Sequence, residues 1–539
     1  MVLRRVFQWI LIGAFCLFGW GASEHQGSGN NVYYVDGQNG DDQNDGRSPE
    51  KPWQSLEKVN SIEFQPGDRI LFASDTEYLG QLKPRGAGTE GRPIVIDTYR
   101  QGGRPRIHGQ GKVLQTVYLY NTEYWEIHNL EITNTGEERL ANRLGVFVHL
   151  KDFGTAHHIH LQGLYVHDVN GSVVKREGGG GGIKWDNEGD SIKSRFDGLL
   201  IENCHIQRCE RDGIRGIAGY SNRDDWYPSL NVVIRGNLIE EVPGDGIVPK
   251  SCDGPLVEYN VMRNCTRLLP EGDAAAGIWP HSCDNAVIQF NEVSDHKAPW
   301  DAQGFDSDYN CRNTLIQYNY SHDNEGGFLL ICDNGASKLP SNIGNIGLVV
   351  RYNISVNDGI RGHPSPRGGF HSPIFHIAGP VKDIQIYNNT VYVPAKAHPR
   401  VDRSMIRMHN WGGSWPKNIL FSNNIFYVEG ETQYVWGEAE NCCFDHNVFY
   451  GQHTDVPDDP HAITADPMFV SPDSSVAGLN ILRGLMLKEG SPAISVGMTI
   501  ANNGGRDFRG NPLPTDQTVD IGAYQSSFDS QVESKPPGE

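Results

Sequence analysis

Beyond residue 20 the chain has no apolar run long enough to cross a membrane. Long amphipathic helices are scarce. Positive charge is also short: 46 Lys and Arg stand against 66 Asp and Glu, a net charge of -20. That balance excludes duplex nucleic acid as a partner, because phosphate binding needs a basic face. It also disfavours a polyanionic substrate unless a metal or a local basic patch intervenes. The ten cysteines show no paired metal-type spacing. One of them, Cys16, falls in the N-terminal apolar segment, which leaves nine to be read as buried free thiols. The five glycines Gly178–Gly182 are followed by no GK[ST], so they are not a phosphate loop and read as a flexible insertion.

The chain is rich in turn formers, with 63 Gly and 30 Pro in 539 residues. Residues 1–23 read as a secretory signal: Arg4 and Arg5, an apolar stretch from Val6 to Trp20, then the small residues Gly21, Ala22 and Ser23. The expectation is a secreted or periplasmic monomer with no membrane association once the signal is removed. Residues 31–110 read as a cap module and first coils: the strand VYYV, an Asx- and Gly-rich loop, the short helix WQSLEKVNSI, and the turn and strand QPGDRILF. Asp36, Asp41, Asp42 and Asp45 in that loop read as Asx turns rather than a calcium site. Residues 526–539 are polar and read as a disordered tail.

Between these ends one phrase recurs, as in IENCHI, IRGNLI, VEYNVM, IQFNEV, IQYNYS, IYNNTV and FDHNVF. One column of it reads Leu130, Leu164, Cys204, Asn237, Asn260, Asn291, Asn319, Asn353, Asn389, Asn424 and Asn447. The spacing is irregular, mostly in the twenties and thirties, as in a solenoid whose loops vary while its strands stay in register. A β-propeller would need blades of about 40–45 residues with four strands each, more than these units offer. Stacked turns bury the apolar positions, and an Asn repeated at one place in each turn can bond to the Asn above and below.

The opening YYVD…NDG…PW, the segments GTEGRPIVIDTY and RPRIHGQG, and the closing ADPMFV…GSPAISVG…DFRGNP…VDIGAYQ resemble exported parallel β-helix proteins of the pectin-lyase-like superfamily. The resemblance spans roughly Val32 to Gln525. It implies an all-β fold, a right-handed parallel β-helix over residues 111–525 with a small N-terminal cap. It is weak for activity, since that superfamily holds glycoside hydrolases, polysaccharide lyases, epimerases and non-enzymes.

Chemistry concentrates where the coils carry charge. Aligning coils on the apolar residue after Gly sets Ile214, Ile247, Ile278, Phe305 and Phe328 inward. Alternation along a strand then puts Arg215, Val248, Trp279, Asp306 and Leu329 in one outward column. Ile217, Lys250, His281, Asp308 and Ile331 fall in the next. Asp306 and Asp308, about 6.7 Å apart along a strand, suit the paired carboxyls of a glycosidase, which lie about 5–5.5 Å or about 6.5–9.5 Å apart by mechanism. Asp333 is one coil further on, a spacing similar to the acid pair of some β-helix glycosidases.

The expected function is hydrolysis of a glycosidic bond in an extracellular poly- or oligosaccharide. Asp308 serves as nucleophile or base and Asp306 or Asp333 as acid. Lys250, His281 and Arg215 bind substrate, Trp279 and Trp300 stack on sugar, and Glu325 is a reserve acid. No cofactor is required, although the two aspartates could hold Ca²⁺. The alternatives are a uronate lyase with Lys250 as base, since VPKS at 248–251 resembles a lyase base motif, and a non-catalytic glycan-binding solenoid.

Overall fold

The computed structural model describes residues 30–526, apart from 218, 335–342, 365–368, 396–400, 473–478 and 515–516. The signal segment lies outside the described residues, and so does all of the polar tail but its first residue, Ser526. No helix among the described residues is long and apolar enough to cross a membrane.

Each coil contributes a strand to each of three faces. Val287–Gln289, Glu292–Ser294 and Gln303–Ser307 form one coil. Leu315–Gln317, Tyr320–His322 and Gly327–Cys332 form the next. Corresponding strands pair in parallel, face by face. The long strand Ile425–Val435 bends round a corner and pairs first with Thr390–Val393, then with Ser404–His409, so two faces merge there. The fold is the expected right-handed parallel β-helix. At its N-terminal end the strand Val32–Val35 pairs in parallel with Arg69–Ala73, beside a short helix, Leu56–Ser61, capped by Ser55. Three aspartates of the first loop close turns: Asp36 accepts from the Gln38 and Asn39 amides, Asp41 from Gln43 and Asp45 from Arg47, while Asp42 accepts from the more distant Gln54 and Ser55 amides at the start of the helix.

The coils are held in register at the corner between the first and second faces. Asn237, Asn260, Asn291, Asn319, Asn353, Asn389, Asn424 and Asn447 are all buried there. The backbone N–H and Nδ2 of each donate to Oδ1 of the next, as Asn291 does to Asn319 at 3.0 Å for both bonds. Nδ2 also donates to a carbonyl on the first face of the preceding coil, as Asn319 does to Ile288 at 2.9 Å. The column ends on a carboxylate: Asp459 Oδ2 accepts the N–H and Nδ2 of Asn447, each at 2.9 Å.

The residue before each Asn turns the corner in the left-handed region, at φ 55 for Tyr259, Phe290 and Tyr318 and 51 for Tyr352. That conformation costs a bulky L-residue roughly 1–2 kcal/mol. Three buried hydrogen bonds per Asn, each worth about 0.5–1.5 kcal/mol net, offset it. The strained aromatics also stack outside, with Tyr259–Phe290 centroids at 4.9 Å and Phe290–Tyr318 at 5.1 Å.

Two sequence readings change. Gly179–Gly182 are buried rather than a flexible insertion, and Gly181 and Gly182 open the strand Gly181–Glu188. A Cβ on Gly180 would sit 2.5 Å from the Gly171 Cα, so the glycines permit a close backbone approach. The register also slips by one residue at the double glycine 326–327. Gly327 pairs with Gln303, which places Leu329 opposite Phe305. Leu329 and Ile331 therefore join the core, while Leu330 and Cys332 take the outward positions assigned to them from sequence.

All nine described cysteines are free thiols, seven of them buried.

The Asn column predicts a graded stability loss. Asn319→Ala strips partners from the Asn291 amides and the Ile288 carbonyl inside the core, at about 1–3 kcal/mol for each group left unsatisfied. Asp459→Ala, at the wetter end of the column, costs less because water replaces the carboxylate. Denaturant unfolding of the two variants checks the order, and equal losses would refute the role given to the column.

Candidate active site

The strand Gln303–Ser307 is buried along its whole length, so its outward side chains are covered by loops rather than water. Those loops close a cleft of about 340 Å³. It gathers six of the nine residues expected from sequence: Arg215, Lys250, Trp279, His281, Asp306 and Asp308. Lys250 pairs with His281 across adjacent coils, and the Asp308 N–H donates to the Pro280 carbonyl at 3.2 Å. The Lys–His–Asp ladder therefore stands as the alternation predicts.

The other three do not line the cleft. Asp333 is fully buried, and its Oδ2 accepts the Asn310 N–H at 3.0 Å. Glu325 is buried in an ion pair with Arg267, with His363 Nε2 3.5 Å away. Trp300 leads the short strand Trp300–Asp301 and stays outside the lining. Trp279 does line it but is only 4% exposed. Its Nε1 donates to Asp245, and Lys175 and Arg215 lie over its ring at 5.3 and 5.7 Å.

Sequence reasoning missed five participants: Asp301, Arg361, Asp245, Trp411 and, on the cationic side, Lys175. Asp301 enters from the loop after the second face, on a two-stranded ladder with Ala274–Ala275. Its backbone sits at φ 59, and its carbonyl is 1.7 Å from where a Cβ on Gly326 would be, so only glycine lets the loop in. Arg361, 2% exposed, clamps that loop by donating to the carbonyls of Ala298, Pro299 and Asp301, each at 2.9 Å. Asp245 lies beneath the cationic side, paired with Arg215, with Lys175 at 3.4 Å and Arg211 at 3.6 Å. Trp411 reaches the lining from a later coil. The double glycine 326–327 was the available signal for Asp301, since its first member marks the point of backbone approach.

The cleft has two electrostatic halves. On one side Lys175, Arg215 and Lys250 gather. Burial and the neighbouring Arg215 and Lys175 pull the Lys250 ammonium down to about 8. Burial and the same cations, with Lys250, hold His281 well below its ordinary range, so it is neutral. Asp245 is held well below the carboxylate range: Lys175, Arg211 and Arg215 outweigh its burial.

On the other side stand three carboxyls. Burial, then the Asp308 charge, raises Asp301 to about 7. Burial, resisted by bonds from Cys332 Sγ (3.2 Å) and the Tyr309 N–H (2.7 Å), raises Asp308 to about 6. Asp306 is pushed well above the ordinary range by burial and by Asp308 and Asp301, and its Oδ1 is buried with no hydrogen-bond partner. An oxygen each from Asp306 and Asp308 and the Cys332 Sγ lie within 4.8 Å of one another. Carboxyls this close share protons rather than all ionising. The set can therefore present, near neutral pH, one charged carboxylate beside protonated ones, which is the division of labour acid–base chemistry needs.

A family model described as "Right handed beta helix region" matches residues 115–362. The chain is 28% identical to a lacto-N-biosidase of Bifidobacterium longum subsp. longum, over 90% of this chain and 34% of that one. It thus spans about a third of the length of that curated relative. The structure is similar to the crystal structure of a GH136 lacto-N-biosidase from Eubacterium ramulus, with TM-score 0.55 and 27% identity over 73% of this chain and 67% of that one. It also matches a structure of XylC with xylose at TM-score 0.51 and 11% identity, over 92% of this chain and 98% of that one, a likeness of fold alone. These matches agree with the resemblance read from the sequence ends.

Asp306 gives a stability test. Its folded pKa lies above the unfolded value of about 3.9, so the folded state binds the extra proton. Stability from this group is full below that unfolded value and falls as pH rises toward the folded one. Asp306→Asn removes the fall. The melting temperature of the variant should exceed that of the wild type at pH 8, with the gap closing toward pH 4. A constant gap would contradict the buried neutral acid.

Proposed function

We propose that this chain is a glycoside hydrolase acting on an oligosaccharide, with Asp301 as general acid and Asp308 as the ionised carboxylate that acts as nucleophile or base. The observation that carries this reading is that Asp301 and Asp308 reach one cleft from separate elements with proton affinities about a unit apart. Asp301 is the more weakly acidic, so it holds its proton while Asp308 is charged. Asp306 keeps a proton beside Asp308 and serves to tune it. Arg361 is a positioning residue, since it touches the loop that carries Asp301 and not the cleft. Trp411, half-buried in the lining, offers an aromatic face to a sugar ring. The similarity to lacto-N-biosidases supports hydrolysis and directs the first substrate, an aryl lacto-N-bioside. The N-terminal segment supports export.

A second reading, uronate elimination, is favoured by one observation: Lys250, at about 8, is poised as a base in the same cleft. The charge on Asp308 disfavours a uronate carboxylate in the same cleft, and the similarity to lacto-N-biosidases supports hydrolysis, so hydrolysis ranks first.

Asp301→Asn and Asp308→Asn should each lower kcat by about 10²–10⁴-fold with the melting profile retained. In Asp301→Asn an aryl glycoside with a good leaving group loses much less rate than the natural linkage, because it needs no acid. In the wild type the rate rises as Asp308 ionises near 6 and falls as Asp301 ionises near 7. The optimum lies between, and the limbs belong to the coupled set. Reducing ends measured with ultraviolet absorbance, on neutral and acidic glycans with and without chelator, separate the readings. Absorbance with reducing ends would replace hydrolysis by elimination at Lys250. A fully active Asp308→Asn would sink the assignment, and binding without any product would make the chain a glycan-binding solenoid.

A further inference from the structure

Beyond Trp411 the same outer face carries a second cluster. The Asp306 position continues coil by coil through Leu330, His376 and Arg407. His376 lies in the strand Phe375–Ala378, His371 precedes that strand, and His409 ends the strand Ser404–His409. One ring nitrogen from each of the three lies within 4.8 Å of the others. His371 Nε2 is 3.4 Å from His376 Nδ1, and His376 Nε2 is 3.0 Å from His409 Nδ1.

Rings in adjacent coils stack at a range of angles, from parallel to edge-on. Phe421 and Phe444, in adjacent coils, lie parallel at 5°. His376 stands at 74° to His371 and 89° to His409, turned so that nitrogens rather than ring faces converge. Behind them Asp402 Oδ2 lies 3.8 Å from His371 Nδ1. Asp402 is itself fixed by the amides of Ser372 at 2.9 Å and Ser404 at 3.0 Å, and by Arg407. A carboxylate set behind an imidazole orients the ring and raises its basicity toward a metal.

We propose that His371, His376 and His409 form a site for a divalent transition-metal ion of the zinc type, with Asp402 as the orienting group of His371. Zinc–nitrogen bonds of about 2.0–2.1 Å in a tetrahedron put the nitrogens about 3.3 Å apart; His376 meets that spacing with His371 through Nδ1 and with His409 through Nε2, and with one nitrogen taken from each ring the three donors lie within 4.8 Å, so a small rotation of His376 closes the set. Three imidazoles leave a fourth position for water or a ligand. Imidazole donors select zinc, copper, iron or nickel over calcium and magnesium, which take oxygen ligands. The site is flanked on two sides. The Trp411 ring, 5.4 Å from His376, separates it from the carboxylate cleft. His371, Asp402 and Arg407 also line a depression of about 510 Å³.

The test is a Co²⁺ titration of the full chain after chelator treatment and desalting, followed by the visible bands of nitrogen-coordinated cobalt and their loss on adding Zn²⁺. Wild type should take up one equivalent that His376→Ala and His409→Gln do not. Asp402→Asn should weaken uptake by about 10–100-fold. His158→Gln and His446→Gln, in two other His–carboxylate clusters, should leave that equivalent in place. Zn²⁺ should raise the melting temperature of wild type and not of His409→Gln. His409 is half-buried, so this variant keeps the test valid if His376→Ala misfolds. Unchanged uptake in His409→Gln, or no uptake in wild type, would overturn the site and leave a chain of hydrogen-bonded neutral imidazoles.

Discussion

The fold depends on a buried amide column. A parallel β-helix has no local device, such as a two-residue hairpin, to set how one coil sits on the next. Each coil here is joined to its neighbour by loops of different length, so chain connectivity alone leaves register open. The Asn column closes that freedom. An Asn shifted by one residue would face its Oδ1 with no donor and its Nδ2 with no acceptor, in a core without water to replace them. The strained left-handed corner before each Asn is part of the same device, because it aims the side chain along the stack. With register fixed at one corner, the opposite side of the coil is free to carry long insertions, and the cleft is built there.

The chemistry of that cleft follows from desolvation more than from any single pairing. For Asp301, Asp306 and Asp308 burial is the largest influence on the proton, and mutual repulsion adds to it. The same burial acts with opposite sign on Lys250 and His281, a few ångströms up the stack. A closed, water-poor groove lined by both signs thus brings acids and bases toward neutrality together. Asp245 is the exception that locates the anchor. Surrounded by Lys175, Arg211 and Arg215, it stays charged at the floor and holds the cationic wall in place. On the far wall Lys175 also acts on the carboxyls, but burial outweighs it there and they are left to share protons.

How much of this was legible depended on whether it obeyed the coil period. The apolar columns, the Asn column and the outward set Arg215, Lys250, Trp279, His281, Asp306 and Asp308 all follow from alternation within a strand and stacking between strands, and the sequence repeats both. Asp333 failed because the register slips at Gly327, so counting one coil on from Asp308 landed on a residue turned toward the Asn310 amide. Leu329 and Ile331 went wrong for the same reason. Asp301, Arg361 and Trp411 obey no period. They lie in insertions whose paths are set by contacts between distant segments, such as the Arg361 guanidinium on three carbonyls of the Asp301 loop, and a periodic reading carries no information about these. Trp300 and Asp301 adjoin in sequence, yet only Asp301 reaches the cleft.

This division also explains why the histidine cluster is not legible along the sequence. His371, His376 and His409 have no metal-type spacing along the chain, because two of them stand in adjacent coils and the third precedes its strand. In a helical motif ligands converge through a short sequence interval. In a stacked coil they converge across about 4.8 Å of sheet whatever the intervening loop length. Ligand spacing in such a fold is therefore set by strand register, and the search for sites has to run across coils before it runs along the chain. The carboxylate cleft and the histidine cluster obey that rule alike. They occupy one face, where His376 continues the row of Asp306, and the Trp411 ring lies between them.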